Sequence, residues 1–204
     1  MHARSIPLLV VFQTLALTAA AQHSGVGIKG GPLLSSTRSG STTSRSMLGG
    51  SFGLYFPLRG ADRLELQPEL LVTSLGSNSS RPDGTGVSDR TIYVQLPLSA
   101  KFYFNNTINV QAGVQLGYLL WAQRSSDGSV QDVKERYEQM DLGLVLGAGV
   151  DLIQGIDIGV RYYNGLKAVA ANSGNVFPRN QAYMLTIGYR LARLRSPKFN
   201  RRRG

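Results

Sequence analysis

Apolar and polar residues alternate with a period of two along most of the chain, as in β-strands that have two different faces. The clearest stretch is residues 91–121, where two alternating runs flank a short turn at residues 105–107. The apolar face of the first run consists of Ile92, Val94, Leu96, Leu98, Ala100 and Phe102. Each run has about 11 to 13 residues, whereas a strand of a globular protein has about 5–6. A tilted membrane-spanning strand needs about 9–11 residues, so the runs are long enough to cross a bilayer.

The same alternation predicts eight strands, joined by connections that are long and short in turn. The predicted strands cover about residues 26–34, 47–56, 63–74, 91–103, 109–121, 140–152, 156–163 and 181–191. The long connections are residues 35–46, 76–90, 123–139 and 164–180. Within the third strand, Pro68 lacks a backbone donor and predicts a bulge or local irregularity. Long external loops and short periplasmic turns are typical of bacterial outer-membrane barrels.

Alternation alone does not decide which face is inside, because a soluble eight-stranded barrel has the same period. The polar faces carry many glycines, namely Gly27, Gly31, Gly49, Gly53, Gly113, Gly117, Gly143, Gly147, Gly149, Gly159 and Gly188. The interior of an eight-stranded barrel is just wide enough for side chains to fill, so small residues there make room. The glycines therefore favour polar faces that point inward and apolar faces that contact lipid.

Charged residues on the polar faces are few and of both signs. They are Lys29, Glu65, Glu69, Lys101, Asp141, Arg161 and Arg190. An isolated buried charge is very costly, so we expect these side chains to pair and to plug the lumen as one network. Glu65 and Glu69 lie on one strand face, where two carboxylates could also serve glycosidase chemistry. A plugged lumen offers no cleft for a sugar, which favours structural ion pairs.

Aromatic residues cluster near the ends of the runs. We assign Tyr55, Phe56, Phe102, Phe104, Tyr118, Trp121 and Tyr162 to the two membrane interfaces. Aromatic girdles at these levels are a feature of transmembrane barrels.

The net charge of +10 is concentrated at the ends of the chain. Residues 1–21 have a positive start, an apolar run and an Ala cluster, which predicts a cleaved signal peptide. The barrel is expected over residues 22–192, and residues 193–204 form a basic tail. The tail carries Arg193, Arg195, Lys198, Arg201, Arg202 and Arg203, which we assign to anionic lipid headgroups of the inner leaflet. Without this tail and Arg4, the chain is close to neutral, so the tail is no sign of a basic, nucleic-acid-binding domain.

Several segments resemble the PorT-like outer-membrane β-barrel family. They are residues 66–71, 93–98 with 101–104, 113–118, 144–149 and 161–166, and the resemblance extends over about residues 26–191. It implies an all-β protein: an eight-stranded antiparallel up-and-down transmembrane β-barrel in the outer membrane of a Gram-negative bacterium. One departure is that the last strand is followed by a basic tail rather than ending the chain on an aromatic residue.

The sequence offers little for catalysis. It contains no Cys, and its two histidines are His2, in the predicted signal peptide, and His23, at the start of the mature chain. We therefore expect no enzyme activity, no cofactor, no metal and no nucleic-acid partner. The expected function is a structural or interaction role, with protein partners at the external loops or at the periplasmic tail, in a monomer surrounded by outer-membrane lipids. Two alternatives remain open: a narrow channel for ions or small solutes, and a soluble lipocalin-like ligand carrier.

Overall fold

A computed structural model describes residues 25–39, 42–61, 63–80, 86–126, 129–152, 155–169 and 178–193. Eight long strands account for most of them. We number them β1 (Gly25–Ser39), β2 (Arg45–Tyr55), β3 (Leu64–Ser80), β4 (Gly86–Tyr103), β5 (Ile108–Ser126), β6 (Met140–Asp151), β7 (Ile156–Gly165) and β8 (Arg179–Arg193). The predicted signal peptide lies outside the described residues.

Each long strand pairs with the next in antiparallel fashion, and β8 pairs with β1. The sheet is therefore a closed ring, which leaves no exposed edge among these eight strands. The predicted eight-stranded up-and-down barrel is confirmed. Because β1 starts and β8 ends beside the short turns, both ends of the barrel chain lie at one mouth, which we call the turn end; the other mouth is the loop end.

At the loop end the strands are longer than the sequence predicted. β3 continues to Ser80 and β4 begins at Gly86, so most of the predicted loop at residues 76–90 is a paired hairpin. Short strands at Thr42–Thr43 and Ser129–Asp132 and a 3-10 turn at Lys134–Arg136 structure two other predicted loops. Both faces of these extensions are polar, so alternation is invisible in them, while ladder pairing still satisfies their backbone groups.

The bulge expected at Pro68 is absent. Pro68 pairs with Leu98 and Leu71 with Gln95 in one continuous register. The backbone of Pro68 faces Phe56, whose N–H donates to the Pro68 carbonyl at 2.9 Å, just beyond the end of β2. Opposite Pro68 the strand is interrupted at residues 56–57, which is the local irregularity that the sequence predicted, and pairing with β3 resumes in the same register with Leu58 opposite Leu66. A real register shift occurs between Ile92 and Tyr93 instead, opposite an extra residue in β5.

The barrel is apolar outside and polar inside. Large apolar side chains along its wall are 37% to 67% exposed, among them Leu70, Val114 and Ile187. Lys101, which would be exposed on a soluble barrel of inverted orientation, is 2% exposed. A lipocalin-like carrier needs apolar faces turned inward, so this alternative is wrong. In the described part of the chain, no helix has the length and apolarity required to span a membrane.

Candidate functional site in the barrel interior

The middle of the interior is organised around the Glu69 carboxylate. The Arg161 guanidinium donates to it from β7, with Nη1 at 2.6 Å from Oε2, and Gln67 Nε2 donates as well. Lys29 Nζ lies 3.4 Å from Glu69 Oε1 and 3.3 Å from Asp157 Oδ1. Arg161 also donates to Gln111 Oε1 at 2.9 Å, which ties β5 to the cluster. We call Lys29, Gln67, Glu69, Gln111, Asp157 and Arg161 the charged layer.

A second cluster lies nearer the turn end and surrounds Asp151. Lys101 Nζ is 3.3 Å from Asp151 Oδ1, and Asn109 Nδ2 donates to the same oxygen at 2.9 Å. The Tyr103 hydroxyl donates to Asp151 Oδ2 at 2.8 Å. Arg190 Nη2 lies between Asp151, at 3.8 Å, and Glu65, at 3.5 Å. Cations and acids are thus paired in both clusters, which offsets the cost of burying them.

Six of the seven predicted interior charges belong to these two clusters, and the assignment of Asp141 to the network is wrong. β6 runs from the loop end to the turn end, so Asp141, at its start, lies far from Asp151, at its end. Asp141 accepts a hydrogen bond from Asn180 Nδ2 at 3.0 Å instead. The prediction also left out Asp151 and Asp157, although period two places both on the polar face.

Above the charged layer, toward the loop end, a cluster of apolar side chains fills much of the interior beside the buried Asp141–Asn180 pair, and the sequence did not predict it. This apolar layer consists of Leu33, Leu75, Tyr93, Leu119, Ala122, Val133, Val145, Tyr163 and Ala182. Leu119 and Ala122 both face inward, because the extra residue in β5 shifts the alternation between them. Val133 reaches in from the β5–β6 connection and is 3% exposed. The signal for this layer was present, since Leu33, Leu119 and Val145 occupy inward positions.

A cap covers the loop end above the apolar layer. The Val133 amide donates to the Ala122 carbonyl at 3.1 Å, and the Glu138 amide donates to the Val169 carbonyl at 2.8 Å. Val169 is 3% exposed, so the two connections at this end pack against each other.

The turn end, in contrast, opens into a cavity of about 650 Å³. Its lining includes Tyr55, Glu65, Tyr103, Asp151, Asp157 and Arg190. The floor of this vestibule is therefore formed by the Asp151 cluster. Among the described residues, no three His, Cys, Asp or Glu side chains are grouped to hold a metal ion.

Two inward tyrosines lie over glycines of the adjacent strand. A Cβ on Gly27 would come 2.2 Å from the Tyr55 ring, and one on Gly143 would come 2.4 Å from the Tyr163 ring. Such distances are far below van der Waals contact, so only glycine allows these rings to lie flat inside the barrel. Space made by glycine in a narrow lumen is thus filled by aromatic side chains.

We expect Gly143→Ala to destabilise the barrel by about 1–3 kcal/mol, the usual cost of overpacking. The added methyl group would meet both the Tyr163 ring and the Asn164 carbonyl, at 2.5 Å. Gly86→Ala is the matched control, because nothing lies within 4 Å of its Cβ position. Urea unfolding of the refolded protein in detergent measures both; equal effects of the two substitutions would contradict the steric argument.

The assignment of Tyr55 to a membrane interface is wrong. Tyr55 is fully buried inside the barrel, and Lys29 Nζ lies 4.6 Å from its ring centroid. Alternation along β2 places it on the inward face with Ser51. The remaining predicted interface aromatics project from the outer wall, with Phe56, Phe102 and Phe104 near the turn end and Tyr118, Trp121 and Tyr162 near the loop end.

Of the basic tail, only Arg193 is described, as the last residue of β8, where its backbone pairs with Gly25. Arg195, Lys198, Arg201, Arg202 and Arg203 lie outside the described residues.

Comparison with known proteins places the chain among bacterial outer-membrane barrels. Residues 20–170 match a family described as outer membrane protein beta-barrel domain. Neisserial surface protein A (NspA) is structurally similar, with a TM-score of 0.51 at 15% identity, over 82% of this chain and 99% of that one. The attachment invasion locus protein Ail of Yersinia pestis aligns with a TM-score of 0.45 at 15% identity, over 83% of this chain and 99% of its own. A search of curated proteins gave no match.

Proposed function

Because the chain belongs to the outer membrane protein beta-barrel domain family, we propose that it is a closed barrel of the bacterial outer membrane with a structural or interaction role. In this proposal the side chains that fill the lumen close it permanently. The loop end is the surface that meets partners outside the cell. The outward aromatics near both ends lie at the two membrane interfaces.

One observation carries this proposal: two successive layers close the interior. Glu69, Arg161 and Lys29 fill the middle with mutually paired charges. Beyond them, the nine side chains of the apolar layer fill the interior, and the hydroxyls of Tyr93 and Tyr163 are their only polar atoms. An ion would have to break buried ion pairs and then lose its hydration in the apolar layer, and both steps are costly.

The loop end supplies an exposed polar surface for interaction. Glu135 and Arg136 are exposed on the 3-10 turn, and Lys167 Nζ pairs with Glu138 Oε2 at 3.2 Å across two connections. Asp89 and Arg124 form a bidentate pair between β4 and β5, with distances of 2.6 and 2.7 Å. These contacts join neighbouring segments in the described part of the rim, and a surface that is ordered before binding loses less entropy on binding.

A narrow channel is the second candidate, and the vestibule of about 650 Å³ at the turn end favours it. That vestibule would be the periplasmic entrance. For conduction, the charged layer and the apolar layer would both have to rearrange. We therefore rank the channel below the closed barrel.

We expect the purified protein to give no steady open-channel steps in planar lipid bilayers. The two closed layers are the reason. A conducting porin inserted from the same detergent serves as the positive control, and gel mobility of unheated samples verifies that the tested protein is folded. Reproducible, voltage-stable steps from folded protein would instead establish the channel.

The same proposal also covers catalysis, export and family, and the role of the basic tail. The barrel is non-enzymatic and needs no cofactor, since the carboxylates of Glu65, Glu69 and Asp157 are held in ion pairs and the two histidines precede β1. A signal peptide at residues 1–21 brings it to the membrane, and the resemblance of five sequence segments supports kinship with the PorT-like barrels. The basic tail contacts phospholipid headgroups of the inner leaflet, at about 1 kcal/mol per cation near the surface. N-terminal sequencing of the mature protein tests whether the signal peptide, residues 1–21, is removed.

A further inference from the structure

The outer wall changes character along the pairing of β7 with β8 as it approaches the loop end. Tyr162 pairs with Tyr183, and both side chains project from the wall. Two residues farther along each strand, Asn164 pairs with Gln181. Arg179, two residues beyond Gln181, is exposed, and the period of two places it on the same face. We call these five outward side chains the β7–β8 patch; toward the loop end it passes from aromatic to amide to cationic.

The two tyrosines give the height of the patch in the membrane. Their ring centroids are 4.9 Å apart, and Tyr183 is 67% exposed. Tyrosines that project from the wall of a membrane protein mark the level of the interface. The amides lie two residues farther along the strands and Arg179 four residues, roughly 7 and 13 Å, or roughly 5 and 10 Å along the membrane normal after the strand tilt. The polar part of the patch therefore lies among the lipid headgroups.

The amide pair is held in one orientation. Gln181 Nε2 donates to Asn164 Oδ1 at 3.1 Å, and both side chains are half-buried. This bond uses one oxygen and one N–H, so Asn164 Nδ2 can still donate and Gln181 Oε1 can still accept. A donor and an acceptor fixed side by side above an apolar ring surface suit a sugar, whose hydroxyl groups need both and whose C–H face packs on an aromatic ring.

The arginine of the patch adds a recognition element for an anion. Residues 158–204 contain no Asp or Glu. None of the ion pairs formed by the described residues includes Arg179, and the Glu138 carboxylate on the β5–β6 connection is bound by Lys167. A guanidinium presents a planar fork that matches phosphate oxygens. Its long side chain can also bend back toward the membrane, so Arg179 is suited to a phosphate at the headgroup level.

We propose that the β7–β8 patch binds the phosphorylated sugar headgroup of an outer-leaflet glycolipid. A sugar ring would lie against Tyr183, with its hydroxyl groups bonded to Asn164 and Gln181 and its phosphate held by Arg179. The acyl chains would then run along the apolar wall beside Leu185, which is 45% exposed. This inference rests on the proposed membrane orientation but not on whether the lumen conducts.

Native mass spectrometry of the full-length protein, released from detergent after titration with diphosphoryl lipid A, tests the patch. Arg179→Gln is expected to weaken lipid retention about fivefold, from roughly 1 kcal/mol per cation. Asn164→Val combined with Gln181→Val should weaken it by about fivefold or more, through two lost hydrogen bonds. Arg136→Gln is the matched control, because it removes an equal charge from the exposed 3-10 turn away from the wall, and it should retain lipid like the wild type.

Two further probes separate the sugar from the phosphate. Dephosphorylated lipid A should bind the wild type and Arg179→Gln alike, and the valine pair should still weaken its retention. Phosphatidylglycerol, which carries a phosphate but no sugar, should be retained by the wild type about fivefold less than lipid A at equal concentration, for want of the amide contacts. Equal retention of the two lipids would overturn the proposal, since the patch would then not recognise a sugar.

A stability measurement separates lipid recognition from a folding defect. Thermal unfolding in detergent without lipid should be the same in the wild type and Arg179→Gln, because the substituted side chain is exposed. Lipid A retention by folded Arg179→Gln within twofold of the wild type would overturn the proposal, whether or not the valine pair folds. Open-channel steps in planar bilayers would instead contradict the closed lumen and leave the lipid site standing, so the two failures are distinguishable.

Discussion

Glu69→Gln is expected to destabilise the folded barrel by about 3–5 kcal/mol, the cost of breaking a buried ion pair from one side. Glu69 accepts hydrogen bonds from Arg161 and Gln67 and lies 3.4 Å from Lys29 Nζ. The substitution would remove the carboxylate that the Arg161 guanidinium, 4% exposed, is bound to, and would leave Arg161 and Lys29 with Asp157 as their shared counter-charge. Urea unfolding in detergent, followed by tryptophan fluorescence and by gel mobility, measures the loss.

Two further variants sharpen this test. Glu69→Gln combined with Arg161→Met removes both charges and leaves Lys29 beside Asp157, so most of the stability should return. Asp89→Asn breaks the pair with Arg124 at the more exposed rim, with side chains 16% and 29% exposed, and should cost no more than about 1 kcal/mol. If Glu69→Gln costs no more than Asp89→Asn, the charged layer does not hold the barrel together.

Val114→Arg is expected to destabilise the barrel in a bilayer by about 2–4 kcal/mol, because it places a cation on the lipid-facing wall midway between the two interfaces. Val114 is 47% exposed on β5, four residues from Val110, which pairs with Phe102, and four residues from Tyr118. In water, an arginine at such an exposed position would change stability by no more than about 0.5 kcal/mol. Folding yield and urea stability in phospholipid vesicles report the difference.

Val130→Arg is the matched control for that experiment. Val130 is 56% exposed, against 47% for Val114, but it lies in the short strand Ser129–Asp132 at the loop end. Because the two positions are similarly exposed but differ in depth, the comparison isolates the contribution of the lipid. A tolerated Val114→Arg, or equal losses at the two positions, would mean that the wall does not face hydrocarbon.

Much of the fold and the contents of the lumen could be predicted from the sequence. Alternation assigned Lys29, Glu65, Glu69 and Lys101 to the inward faces, and glycines on those faces indicated the narrow interior. The paired extensions beyond the wall escaped prediction, because their strands are polar on both sides. The apolar layer escaped because Leu33 and Val145 looked like exceptions within polar faces, and Val133 belongs to a connection with no period at all.

What the sequence by itself determined is the face that most strand residues occupy, apart from the end of β5 beyond the register shift, and with it the orientation of the barrel. What only the tertiary structure decided is height along the barrel axis, which depends on strand tilt and on the register that the β8–β1 closure imposes. Glu69 and Arg161 lie at the same height and make contact although they are 92 positions apart in sequence, whereas Asp141 lies at a different height from the other interior charges. Tyr55 lies beside Lys29 inside the barrel, and Arg38 lies opposite Arg179, for the same reason. A period of two gives the face on which a residue lies but not its height, because all inward residues of one strand have the same position in the alternation.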